Sequence, residues 1–237
     1  MVEVKLWKRP KSPTVIEGFP GFGLVGTIAS EYLIDHLKTE MIGKIIFEDM
    51  PPVVAIHNDK IVEPLGIFYD KKYNIVILHA ITTAKGYEWK LADALVKLAK
   101  ELNAKEIISL EGVGANGLKM SSESFYYTNV EKNKSVLDNI GLKPLKEGII
   151  MGVTGALMLK VDGSPFCCMF ADTASNLPDS KAAARLIEML DKYLGLNVDS
   201  KPLLQQAAQF EEKLKGILNS SQKAQEISEK KKMSYVG

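Results

Sequence analysis

The sequence predicts an α/β domain of three layers: a mixed, parallel-rich sheet covered by helices, with a C-terminal helical extension. Three observations predict it. Across residues 1–196, short apolar runs alternate with segments of helical period, the order that gives parallel strands joined by crossover helices. In the first half, two pairs of apolar runs flank tight polar turns, which adds antiparallel pairing. After Asn197 the strand signals stop, and from Lys201 the chain is polar and helix-forming.

The elements follow in order. Thr14–Gly18 is an apolar strand. A glycine turn leads into a helix over Leu24–Leu37, with Leu24, Ile28, Tyr32 and Leu33 at helical spacing. Ile42–Phe47 is the next strand. Val53–Ile56 and Ile61–Val62 form a hairpin around His57–Lys60, and Gly66–Tyr69 and Tyr73–Leu78 form another around Asp70–Lys72. Gly86–Leu102 is a helix with Leu91, Leu95, Leu98 and Leu102 on one face, followed by the strand Glu106–Leu110 and a second glycine loop, Glu111–Gly117. Lys119–Asn129 is polar and reads as loop or edge structure. Gly148–Leu159 is a turn and a short apolar helix, and Phe166–Phe170 is a buried strand. Asp179–Leu194 is a helix introduced by Pro178, with Ala183, Leu186, Ile187, Leu190 and Leu194 inward.

Composition narrows the function classes. With 237 residues and 46% hydrophobic content the chain can bury a sizeable core. A net charge of +1 gives no general field for nucleic acid. Met1–Lys11 lacks the apolar run of a signal peptide, and no stretch is long enough to span a bilayer. The expectation is a soluble, cytoplasmic protein with neither a membrane nor a nucleic acid as partner. Cys167 and Cys168, the two cysteines, lie in an apolar run and read as packing residues. His36, His57 and His79 fall on separate elements without metal-ligand spacing, so no metal is expected.

Two features can carry chemistry. Gly21, Gly23 and Gly26 have dinucleotide-fingerprint spacing between a strand and a helix, with Gly18 just before them. The competing reading is steric: a tight strand-to-helix turn needs glycine, and Phe19, Pro20 and Phe22 add bulk that the usual fingerprint lacks. Glu17–Gly18 and Glu111–Gly112 each place a carboxylate at the carboxyl end of a strand, the edge where open α/β sheets bind ligands. Two such carboxylates can do acid–base work or hold a metal; alternatively they cap loop amides, the reading we prefer. A nucleotide-binding or ligase-like enzyme that uses the Gly21–Gly26 loop with Glu17 and Glu111 is the alternative function.

The run Ile16–Gly26, Ile-Glu-Gly-Phe-Pro-Gly-Phe-Gly-Leu-Val-Gly, resembles the opening signature of the proteasome assembly chaperone family. Gly112–Gly117, Gly152–Leu157 and Pro178–Ala184 resemble its later landmarks, in order, over residues 1–196; the C-terminal helix is similar to that of the archaeal branch. The resemblance implies a phosphorylase-like, Rossmann-like three-layer fold without catalytic residues or cofactor. It also implies a homo-oligomer and binding to α-subunits of the proteasome core particle.

Leu203, Ala207, Phe210, Leu214 and Ile217 form a heptad-like stripe in the helix expected over 197–232. Two heptads are too few to stand alone, so the stripe rests on its own domain, on another subunit or on a partner. Residues 233–237 are expected to form a flexible tail. The resemblance implies a hydrophobic–Tyr–any tripeptide there; the sequence is Met233-Ser234-Tyr235-Val236-Gly237, with the tyrosine third from the end rather than second. Met233, Tyr235, Val236 and Gly237 are the candidate partner-binding residues: an aromatic hydroxyl, apolar neighbours and a carboxylate.

Overall fold

The computed structural model describes residues 2–49, 54–57, 59–81, 85–114, 123–161, 163–173 and 177–205, together with positions 207, 209, 212 and 216. Its centre is a nine-stranded sheet. The strands are β1 (Val2–Leu6), β2 (Thr14–Gly18), β3 (Glu40–Phe47), β6 (Leu65–Asp70), β7 (Ile75–Ala80), β8 (Glu106–Gly114), β9 (Ser124–Thr128), β10 (Lys143–Pro144) and β11 (Phe166–Thr173). They lie in the order β1-β3-β6-β7-β2-β8-β11-β9-β10. The central strands β7, β2, β8 and β11 are mutually parallel, whereas β1, β3 and β6 pair antiparallel on one side and β9 pairs antiparallel with β11 on the other. The sheet is mixed and parallel at its core, as the alternation of elements predicts.

Helices α1 (Val25–His36) and α5 (Ser180–Leu194) cover one face, and α2 (Glu88–Glu101) and α4 (Gly152–Lys160) cover the other. Strand alternation divides the core accordingly. Ile16, Ile108, Leu110 and Met169 join the α1/α5 cluster; Val15, Ile107, Phe166 and Phe170 join the α2/α4 cluster. The central strands are buried on both faces, which is why they read as continuous apolar runs rather than alternating ones. Two caps fix α5. The Asp179 carboxylate accepts from the Ala182 amide at 2.9 Å, and Gly195 closes the helix at φ 68°.

The structure extends the sequence reading at the edges. Val2, Val4 and Leu6 alternate with the exposed Glu3 and Lys5, so the charged N-terminal segment is an edge strand against β3. The second glycine loop begins later than expected: Glu111, Gly112, Val113 and Gly114 are still strand, paired with Phe170–Thr173. Part of the polar stretch 119–129 is strand β9, whose buried positions carry Ser124, Tyr126 and Thr128 and so give no apolar alternation. The polar helix α3 (Glu131–Asn139) was not expected; it buries only Leu137, too small an apolar stripe to read from periodicity. The first hairpin is real but separate: β4 (Ala55–His57) and β5 (Lys60–Val62) form their own two-stranded sheet.

The described part of the C-terminal segment starts with α6 (Lys201–Gln205), which packs on α5. Leu203 is 1% exposed and belongs to the α1/α5 cluster with Leu196 and Val198. Tyr32 in α1 donates to the Asp199 carbonyl at 2.6 Å, tying the approach to α6 to the same layer. No helix of the described residues is long and apolar enough to cross a membrane.

Candidate functional site

Strands β2 and β8 are neighbours, and their register sets Glu17 opposite Ser109. Glu111 lies two residues further along β8, on the same face. That face looks toward α4, whose first turn carries Thr154. Its hydroxyl lies 3.2 Å from Glu17 Oε1, 3.2 Å from Glu111 Oε2 and 3.0 Å from Ser109 Oγ. The Ser109 hydroxyl donates to Glu17 Oε1. The two strand-end carboxyls singled out in the sequence are therefore brought together, with one threonine hydroxyl between them.

Glu111 does a second thing. Its Oε1 accepts from the backbone N–H of Phe22 at 3.2 Å and of Gly112 at 3.0 Å. Phe22 opens the single 3₁₀ turn, Phe22–Leu24, that leads into α1. The chain's own carboxyl thus sits where a glycine loop and helix start would receive an anion. This is the amide-capping role preferred for Glu111 in the sequence. Glu17 is 0% exposed and bonded to two hydroxyls, and the Phe19 backbone amide also favours its charge.

The glycines are explained by close approach of backbone to backbone. A Cβ on Gly26 would lie 2.1 Å from the Leu110 carbonyl oxygen, and one on Gly18 would lie 2.2 Å from the Gly26 carbonyl oxygen. A Cβ on Gly21 would fall 2.0 Å from Glu111 Oε1, inside the carboxyl that holds the turn. Gly23 has φ 64°, a conformation that favours glycine, and Leu24 follows it at φ 51°. The Gly23 carbonyl accepts from the Asp179 amide at 2.9 Å, so the turn is also tied to the start of α5. The spacing that resembles a dinucleotide fingerprint serves to pack α1 onto β2 and β8.

Burial shapes the electrostatics. Desolvation pushes Glu17 up to about 7, against the hydrogen bonds from Ser109 and Thr154 that favour its charge. Desolvation, reinforced by the neighbouring Glu17 charge, pushes Glu111 up to about 8, against the amides of Gly112 and Phe22. Burial holds the Cys167 and Cys168 thiols well above their ordinary range, which fits their reading as packing residues.

One further polar cluster lies on the opposite face. His79 Nδ1 is 2.8 Å from Ser30 Oγ, and its Nε2 is 3.2 Å from Glu31 Oε2. Ser30 is fully buried in α1, and its hydroxyl also lies 3.1 Å from the carbonyls of Gly18 and Thr27. The group ties α1 to β2 and β7. His36, by contrast, is exposed and stacks on Tyr32.

The profile of the PAC2 family matches residues 15–218, a span that includes every element from β2 to α6. The chain belongs to the PAC2 family. Among solved structures, it is 32% identical to Pyrococcus furiosus PbaA, described as an archaeal homolog of proteasome-assembly chaperone; the match covers 94% of this chain and 99% of that one, with a TM-score of 0.85. Pyrococcus furiosus PbaB, described as an archaeal proteasome activator, shares the fold at a TM-score of 0.74 and 22% identity, over 91% of this chain and 98% of PbaB. The uncharacterized protein MJ0106 of Methanocaldococcus jannaschii is 29% identical over 228 residues, 95% of this chain and 94% of its own. The family resemblance carried by Ile16–Gly26 is thereby shown, and so is the α/β fold.

Other residues named from the sequence fall in two groups. Leu203 is buried on its own domain, and Ala207 is helical and half-buried. Phe210, Leu214, Ile217, Met233, Tyr235, Val236 and Gly237 lie outside the described residues. Sequence reasoning missed Ser109, Thr154 and the Ser30–His79–Glu31 group. Ser109 was within reach, because it stands two residues before Glu111 on a strand. Thr154 joins Glu17 and Glu111, and His79 joins Ser30 and Glu31, only through tertiary packing.

Proposed function

We propose that this protein is a non-catalytic, cytoplasmic chaperone of proteasome assembly that forms homo-oligomers and binds α-subunits of the core particle. The observation that carries the reading is the end-to-end likeness to PbaA, at 32% identity over 94% of this chain. The geometry supports it in two ways. The glycine loop and the paired carboxyls are occupied with one another, which weighs against the nucleotide-binding or ligase-like alternative at Gly21–Gly26, Glu17 and Glu111. The periphery carries exposed apolar side chains suited to docking, among them Ile56 (73% exposed) and Ile61 (67% exposed) on the β4–β5 hairpin.

In this reading residues 1–196 form the body, 197–232 the amphipathic helix, and 233–237 the tail. Leu203 anchors the helix on its own body, while Ala207, Phe210, Leu214 and Ile217 continue the stripe toward another subunit or the partner. Several tails presented by one oligomer bind a ring of repeated subunits with an avidity far above that of one tail. Native mass spectrometry of the protein mixed with α-subunits tests the proposal. A defined complex is expected, weakened by deletion of Tyr235–Gly237 with the fold intact. Absence of any complex with the full chain sinks the proposal. Binding unchanged by the deletion sinks the role of the tail alone.

A further inference from the structure

The cluster between β2, β8 and α4 is short of protons. Ser109 and Thr154 each own one hydroxyl hydrogen. Four oxygen–oxygen contacts need one: Ser109 to Glu17, Ser109 to Thr154, Thr154 to Glu17 and Thr154 to Glu111. With both carboxyls ionised, two hydrogens serve four contacts, and lone pairs face each other beside the fully buried Glu17. One more proton, on Glu111 Oε2, serves a third contact and leaves only Ser109–Thr154 without a hydrogen. Oε2–H then donates to Thr154 Oγ1, and the Thr154 and Ser109 hydroxyls both donate to Glu17 Oε1. Glu111 Oε1 keeps the Phe22 and Gly112 amides throughout.

We propose that Glu17 and Glu111 are a proton-sharing pair, which locks the Phe22–Leu24 turn onto α4 while it holds one proton and loosens that junction when the proton leaves. The proposal rests on this geometry and stands apart from the docking reading. Glu111 touches both sides of the junction, holding the turn through Oε1 and α4 through Oε2.

Among the described residues, the surroundings supply no compensating charge. From β11 the same face brings Cys168, opposite Ser109, and Asp172, two residues beyond Phe170. From α4 it brings Thr154, and α2 lines that layer with Leu91 and Leu95. His79 of β7 lies on the opposite face with Ser30 and Glu31. Among the described residues no Lys, Arg or His forms an ion pair with Glu17 or Glu111. Two adjacent carboxyls, Glu17 fully buried and Glu111 half-buried, cannot both ionise cheaply with no cation paired to them among the described residues.

The sign of the pH dependence follows. Both groups lie above the ordinary carboxylate range in the folded chain, near about 7 and about 8. The folded state therefore binds the proton more tightly than the unfolded chain. The pair's contribution to stability is whole below the ordinary carboxylate range and is lost as pH rises through about 8.

Glu111→Gln isolates the effect. Its carbonyl oxygen can accept the two amides and its N–H can donate to Thr154, the protonated arrangement without titration. Thermal unfolding of the full chain from about pH 5 to about pH 9 is the measurement. The variant should match the wild type at the acid end and melt about 3 °C or more above it at the alkaline end. Profiles that run parallel over the range overturn the proposal. Carboxyl-carbon NMR of the wild type gives a second readout that does not depend on the variant folding. A glutamate titrating above about pH 6 is expected, moving to lower pH in Glu17→Gln; wild-type glutamates that all titrate in the ordinary range overturn the proposal.

Discussion

The carboxyl edge at β2 and β8 and the β4–β5 hairpin are both polar-looking interruptions between apolar runs, and they are built on opposite terms. At the carboxyl edge the backbone closes on itself, with a Cβ excluded from Gly18, Gly21 and Gly26 by atoms 2.2 Å or less away. Its two carboxyls and two hydroxyls are spent on one another. The hairpin is two short strands in a sheet of their own, with Ile56 paired across to Ile61 and both facing solvent. A two-stranded ribbon of this size is marginal by itself. Polar residues are thus buried where function would be sought first, and apolar ones are exposed where a turn would be dismissed. The body is locked and the periphery keeps apolar side chains exposed, the distribution that the proposed docking role would use.

Three variants test that contrast, from the largest expected effect to the smallest. Gly26→Val puts side chain into the Leu110 carbonyl, which is main chain and cannot step aside. We expect a loss of about 4 kcal/mol or more by chemical denaturation; a folded variant of near wild-type stability would show that the edge is not locked. Leu203→Ala asks where the closed body ends. Leu203 is buried against the α1/α5 layer, so its truncation should cost about 2–3 kcal/mol. A negligible cost would move the start of α6 to the periphery. Ile56→Ser with Ile61→Ser is the opposite test: stability should change by no more than about 0.5 kcal/mol, while oligomer mass or α-subunit binding, read by native mass spectrometry, should fall. Lost stability with unchanged association would assign these side chains to the body instead.

Much of the fold was legible because burial leaves a periodic trace. The run Thr14–Gly18 is buried on both faces, and the stripe Leu91, Leu95, Leu98, Leu102 marks the one helix face that meets the core. Where burial is slight the trace vanishes, as in α3, with Leu137 its one buried residue. The strand end at Gly114 was hidden for another reason: Glu111–Gly114 carries turn-forming residues, and only pairing with Phe170–Thr173 keeps them extended. Propensity yields there to a neighbouring strand.

By itself the sequence determined the layer architecture, the family and the residues that had to be glycine, since periodicity and steric demand are local properties. Tertiary structure alone decided what those residues do. It set the β2–β8 register that faces Glu17 to Ser109, and it brought Thr154 from 137 positions away to stand between two carboxyls. A carboxylate's charge depends on what surrounds it in space, and no spacing along a chain encodes that.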